Sequence, residues 1–108
     1  MTEHSIPEGV SNAFVVFGAE APAHAAAWMQ ATQALAAASA LDPKTSSLAY
    51  LAVLAALRLE SGVPFHVGVA KAEGASREEV ISAILVGLQA AGHGVTASLP
   101  SALQAYDK

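Results

Sequence analysis

A chain of 108 residues with nine acidic and five basic side chains, a net charge of −4 and no cysteine excludes several chemistries at once. Without thiols there is no disulfide, no thiolate nucleophile, no iron–sulfur cluster and no cysteine-held zinc. The five cations, Lys44, Arg58, Lys71, Arg77 and Lys108, are scattered, so a nucleic-acid backbone would find no basic patch to neutralise it.

About a quarter of the residues are alanine, the best helix former, and β-branched runs are short. The pattern predicts about six helices and an all-α fold. The first is expected over residues 7–17, with Pro7 in its first turn and Gly18 at its end. A second is expected over 21–39, with Pro22 near its start and Trp28, Met29 and Leu35 as its larger apolar residues. The third opens with Asp42, an N-cap acceptor, and Pro43, suited to the first helical position. It runs to about Arg58 with no charge from Ser47 to Leu57, which predicts a helix apolar all round and central.

The stretch Ser61-Gly62-Val63-Pro64 interrupts the pattern, and a fourth helix is expected over 64–73, closed by Gly74. Ser76-Arg77-Glu78-Glu79 reads as a capping box, in which the Ser76 hydroxyl accepts the Glu79 amide proton while the Glu79 carboxylate reaches back. Val80, Ile81, Ile84, Leu85 and Leu88 then form one apolar face of a fifth helix. Gly92-His93-Gly94 separates it from a last helix ending near Tyr106, in which Pro100 either makes a kink or sits in the first turn of a shorter helix capped by Ser98. No linker, charge block or repeat divides the chain, so one domain is expected over residues 1–108.

Apolar residues make up 54% and charged residues 13% of the chain, against a usual charged share of about 25%. A domain this small buries only about two-thirds of its unfolded surface, so the apolar excess points to contact with copies of itself. A membrane is the competing home. The clean apolar stretch 48–57 falls far short of the ~20 residues a span needs, and the Ala-rich stretch 23–40 is interrupted by Gln30, Thr32, Gln33 and Ser39. The first residues, Met1-Thr2-Glu3-His4, do not read as a signal peptide, and a cytoplasmic location is expected.

The segment from Glu60 to His66, leading through Lys71-Ala72-Glu73-Gly74 into the capping box, concentrates the chain's candidate chemistry. Together with the opening Leu41-Asp42-Pro43-Lys44-Thr45, the His66-to-Gly74 spacing, the Ser76 helix start and Ala91-Gly92, it resembles the carboxymuconolactone decarboxylase family, which includes the alkylhydroperoxidase D-like proteins. The likeness runs ungapped over residues 41–106 and is weak before that. It implies an all-α fold, homo-oligomers of three or six subunits, and a cavity near the His-bearing helix. The family's peroxidase branch carries a Cys-x-x-Cys-x-x-x-His motif and a glutamate on the preceding helix. The histidine falls on His66, but the two cysteines fall on Leu59 and Gly62 and the glutamate on Ser47. Peroxide reduction by paired thiols therefore does not transfer.

The decarboxylase branch also lacks the cysteine pair and needs no metal or organic cofactor, and the resemblance assigns the proton donor to His66. Histidine suits that task near pH 7. Tyr50, Arg58 and His93 are the candidate substrate-binding residues, Arg58 or Lys71 being the cations available for a carboxylate. The bland readings stand beside these. His66 is a hydrogen-bonded packing residue, His93 merely occupies a turn between glycines, and His4 and His24 are surface residues. Trp28, Tyr50 and Phe65 are core or interface, and Glu73, Glu78 and Glu79 are solvated helix ends. A metal site from Glu60, His66 and His93 has no recognised ligand spacing, and none is expected. Two functions remain open: a cofactor-free lyase on a small carboxylated or lactone metabolite, and a catalytically silent oligomeric binding or scaffold protein of the same fold.

Overall fold

A computed structural model describes residues 9–108. Among them there are seven α-helical segments, two 3₁₀ segments and no strand. The order is α1 (Asn12–Glu20), α2 (Pro22–Ala38), α3 (Pro43–Ala56), the 3₁₀ turn Glu60–Gly62, α4 (Val63–Ala72), α5 (Arg77–Leu85), the single turn α6 (Leu88–Ala91), the 3₁₀ segment His93–Ser98 and α7 (Leu99–Tyr106). No helix among the described residues is long and apolar enough to cross a membrane.

Local chemistry sets most of the helix starts. Asp42 accepts the Thr45 amide at 2.8 Å, and Pro43 fills the first turn of α3. The Ser76 capping box forms in full: the Glu79 amide donates to Ser76 Oγ at 3.0 Å and the Ser76 amide to Glu79 Oε1 at 2.8 Å. The first helix departs from expectation. Pro7 and His4 lie outside the described residues; α1 is capped by Ser11, whose Oγ accepts the Phe14 amide at 3.2 Å. The helix runs through Gly18 and stops at Glu20. The stop comes from Pro22, because the residue before a proline is pushed out of helical geometry, and Ala21 has φ −135° and ψ 62°. At the other end, the fifth helix breaks after Leu85 and Leu88 falls in the separate turn α6. Pro100 sits in the first turn of α7 rather than kinking it. Ser98 precedes that helix without capping it: its backbone is already helical, continuing the 3₁₀ segment, so its side chain does not turn back to the free amides.

The core is one cluster. Leu51, Leu54 and Ala55 of α3 meet Val63, Val67 and Ala70 of α4, Val80 and Ile84 of α5, and Ala75, Val95 and Ala102. Helix α3 is central, with α4 on one side and α5 on the other, and α7 crosses α4 and α5. It is not buried all round: Tyr50, Val53 and Leu57 remain exposed along a stripe away from the core. Tyr106 fastens α7, donating its hydroxyl to Ala75 O at 2.8 Å while the Lys71 ammonium lies 4.7 Å from its ring centre. The Arg77 fork then grips Asp107 through Nε at 2.9 Å and Nη2 at 3.1 Å.

Candidate functional site

The seam between α3 and α4 carries the sequence-predicted centre. Three cross-helix pairs fix the two helices as antiparallel. Ser47 Oγ donates to Glu73 Oε1 at 2.5 Å, the Tyr50 and His66 rings lie 4.5 Å apart, and Leu54 packs where Gly62 has only a hydrogen. His66 is half-buried on α4. The Tyr50 ring is tilted 59° against it, and Phe65 meets its edge at 5.2 Å in a T-shaped contact, an arrangement favoured by the ring quadrupoles. No hydrogen bond joins either imidazole nitrogen to another described residue. Burial lowers its pKa from the ordinary value of 6.5, because desolvation penalises the imidazolium. At pH 7 the ring is therefore neutral, with one N–H and one lone pair open to a ligand.

The other two candidates form a second pair. Arg58 follows α3 with φ +59°, a left-handed conformation uncommon for a residue with a Cβ. Its guanidinium lies against Gly94, so closely that a Cβ on Gly94 would collide with Nη2. His93, the first residue of the 3₁₀ segment, is exposed beside it. No ring contact, hydrogen bond or ion pair joins Arg58 or His93 to His66. Glu60, His66 and His93 do not converge, and no group of three metal-ligating side chains is found among the described residues.

Of the core-or-interface reading of three aromatics, the single chain excludes only the core: Trp28 and Tyr50 are 56% and 45% exposed and Phe65 is only partly buried. Glu73 was the residue missed. It is the exposed helix end that the sequence predicts, and it also brings a carboxylate to the edge of the seam, where it accepts the Ser47 hydroxyl. The signal was present: Glu73 is seven residues after His66, two turns along the same face of α4.

A broad concavity lies elsewhere. A trough of about 610 Å³ runs between α3 and α5, lined by Leu48, Ala49, Ala52, Ala83 and Val86, with the Lys44–Glu79 ion pair of 3.1 Å at one end. A model of the carboxymuconolactone decarboxylase family matches residues 22–107, so the match takes in α2 and everything after it. No curated protein and no solved structure matches the chain.

Proposed function

The chain belongs to the carboxymuconolactone decarboxylase family, and on that premise we propose that it is a cofactor-free lyase releasing CO2 from a small carboxylated or lactone metabolite, with His66 as the proton donor. In such a reaction the bond from carbon to the carboxylate breaks and its electron pair moves into the conjugated carbonyl or lactone system, leaving a dienolate. CO2 departs, and a proton from the His66 imidazolium closes the carbon that lost it; solvent then restores the imidazolium. The observation that carries this reading is the half-buried imidazole, without a hydrogen bond to any described residue and clamped between Tyr50 and Phe65. A packing histidine ordinarily spends its ring nitrogens on neighbours; this one has no such partner among the described residues. The lowered pKa makes the imidazolium a stronger acid, and an anionic substrate beside the ring raises the population of that form. Arg58, whose guanidinium makes no ion pair among the described residues, is the cation available for a carboxylate. The thiol peroxidase activity of the family's other branch is not expected, with Leu59 and Gly62 in place of both cysteines. The same reading makes the protein a homo-oligomer of three or six copies.

A second reading, a catalytically silent oligomeric binding or scaffold protein, is favoured by the openness of the seam, where Tyr50 faces outward. Carboxylated lactones and unsaturated diacids, screened for CO2 release with wild type and His66→Asn side by side, separate the two. Under the lyase reading only wild type turns over, His66→Asn losing about 10²–10⁴-fold, and the melting temperatures agree closely. No turnover by either form, with a lower melting temperature for the variant, overturns the lyase and leaves the scaffold.

A further inference from the structure

Among the described residues, helix α2 adds nothing to the core of its own chain. From Pro22 to Ala38 it carries no Asp, Glu, Lys or Arg, and it buries none of its residues. Met29 and Leu35 are 44% and 73% exposed, and the one helix that packs on it appreciably is α1. Yet it lies inside the family-matched region, which starts at residue 22. A helix of this length gains little from propensity alone, and in proteins its stability comes from packing an apolar face. The link to α3 holds it away from the core: Ser39 and Asp42 are both extended, with ψ 139° and 163°.

The chain also offers an acceptor of fitting shape. The trough between α3 and α5 is apolar along most of its length, and Ala49, Ala52 and Ala83 keep its walls low. Low walls allow a third helix to approach at the usual 8–10 Å between axes. The surface of α2 is mostly alanine as well, and uncharged, so it brings no charge of its own into the trough, whose charges Lys44, Glu78 and Glu79 include the Lys44–Glu79 pair at one end. The outer side of the α3–α4 seam has no such trough, being occupied by the Tyr50 and His66 rings.

We propose that α2 of one copy docks into the α3/α5 trough of a second copy, as an exchanged arm. The proposal deepens the homo-oligomer reading given above and rests on it. At 1.5 Å per residue α2 is about 25 Å long, and half the surface of such a helix is roughly 500 Å². A similar area is covered in the trough, so two copies that exchange arms bury about 2,000 Å² between them, the upper end of the standard range for a stable complex, which fits six copies as three exchanged pairs. The exchange also removes from water the charge-free surface that the single chain leaves open.

Light scattering on wild type, Leu35→Glu, Ala49→Glu and Leu57→Glu tests this, with helicity checked by circular dichroism. Leu35 and Ala49 are exposed in the single chain, so a carboxylate there leaves the fold intact while obstructing the arm or the trough. Each of these two variants is expected near the monomer mass of 10.9 kDa, and Leu57→Glu, at the exposed end of α3 on the side turned away from the trough, is expected to stay assembled. An equimolar mixture of the two monomeric variants associates, because the first keeps a sound trough and the second a sound arm. That rescue also excludes misfolding as the cause of dissociation. Assembly that persists in both variants, or a mixture that stays monomeric, overturns the arm and leaves the homo-oligomer standing through another face. A monomeric wild type overturns both.

Discussion

His66 stores a pH dependence in the fold. Its pKa is lowered by burial, so the unfolded chain binds the proton more tightly than the native one. Stability from this group is complete above about pH 6.5 and is lost as the pH falls from there through the folded value. Melting temperatures taken between pH 7 and pH 5 are expected to fall for wild type and to stay flatter for His66→Asn over the same window; parallel curves would show that the burial has no thermodynamic weight. Two glycines make a sharper contrast. Gly9 has φ +90°, and a Cβ there would stand 2.8 Å from the Phe65 backbone nitrogen. Neither the torsion nor the backbone can yield cheaply, so Gly9→Ala is expected to cost at least about 1 kcal/mol in denaturant unfolding. At Gly94 the obstacle is the far end of Arg58, a flexible side chain that can swing aside, so Gly94→Ala is expected to cost less. His66 was legible from its place in the motif, and Tyr50 was named with it. The left-handed Arg58 was not, because nothing in Leu57-Arg58-Leu59 marks a turn. The role of Glu73 was hidden for a different reason: a carboxylate at a helix end looks solvated until the facing helix supplies a hydroxyl.

Helix by helix, the legible starts are those with side-chain caps. The Asp42-Pro43 and Ser76–Glu79 signals both name their bonds in sequence, and both bonds form. Glu79 does more than cap, since the Lys44 ammonium also binds its carboxylate, at 3.1 Å. Its pKa is lowered, first by the Ser76 backbone amide and then by Lys44. That contribution is present above the ordinary carboxyl value of about 4.5 and is lost as the pH falls through the lower folded value. Ser76→Ala is therefore expected to cost about 1 kcal/mol at neutral pH, as caps usually do, with Glu79→Gln losing stability at pH 7 and little at pH 3. If Ser76→Ala proved as stable as wild type in urea, packing alone would be holding α5. The breaks were harder to read. Periodicity carried the fifth helix through Leu88, whereas the chain breaks off after Leu85. Ser98 looked like a cap, yet its hydroxyl is buried without a partner, because the helical backbone before it removes the extended geometry that a cap needs.

Across the whole molecule, composition announced an apolar surplus, and the fold shows where it lies. Exposed large side chains gather on α1 and α2 (Phe14, Val16, Trp28, Met29, Leu35), along the outer stripe of α3 (Tyr50, Val53, Leu57) and near the α5–α6 break (Val86, Leu88). The sequence told that a surplus existed; only the packing of α3 to α7 into a core without α2 told that α2 leaves all of its large apolar residues outside it. If copies assemble, unfolding includes dissociation, and the melting temperature depends on protein concentration by mass action. A tenfold rise in total protein adds about 1.4 kcal/mol for each step of subunit release, or about 0.9–1.2 kcal/mol per chain in an assembly of three or six. For a domain of this length that is roughly 4–8 °C. Melts over a hundredfold range of concentration measure it directly, and the slope grows with the number of subunits that part during unfolding. A melting temperature indifferent to concentration would place the surplus in contact with water, and α2 would then rest on its alanine-rich propensity and its contact with α1.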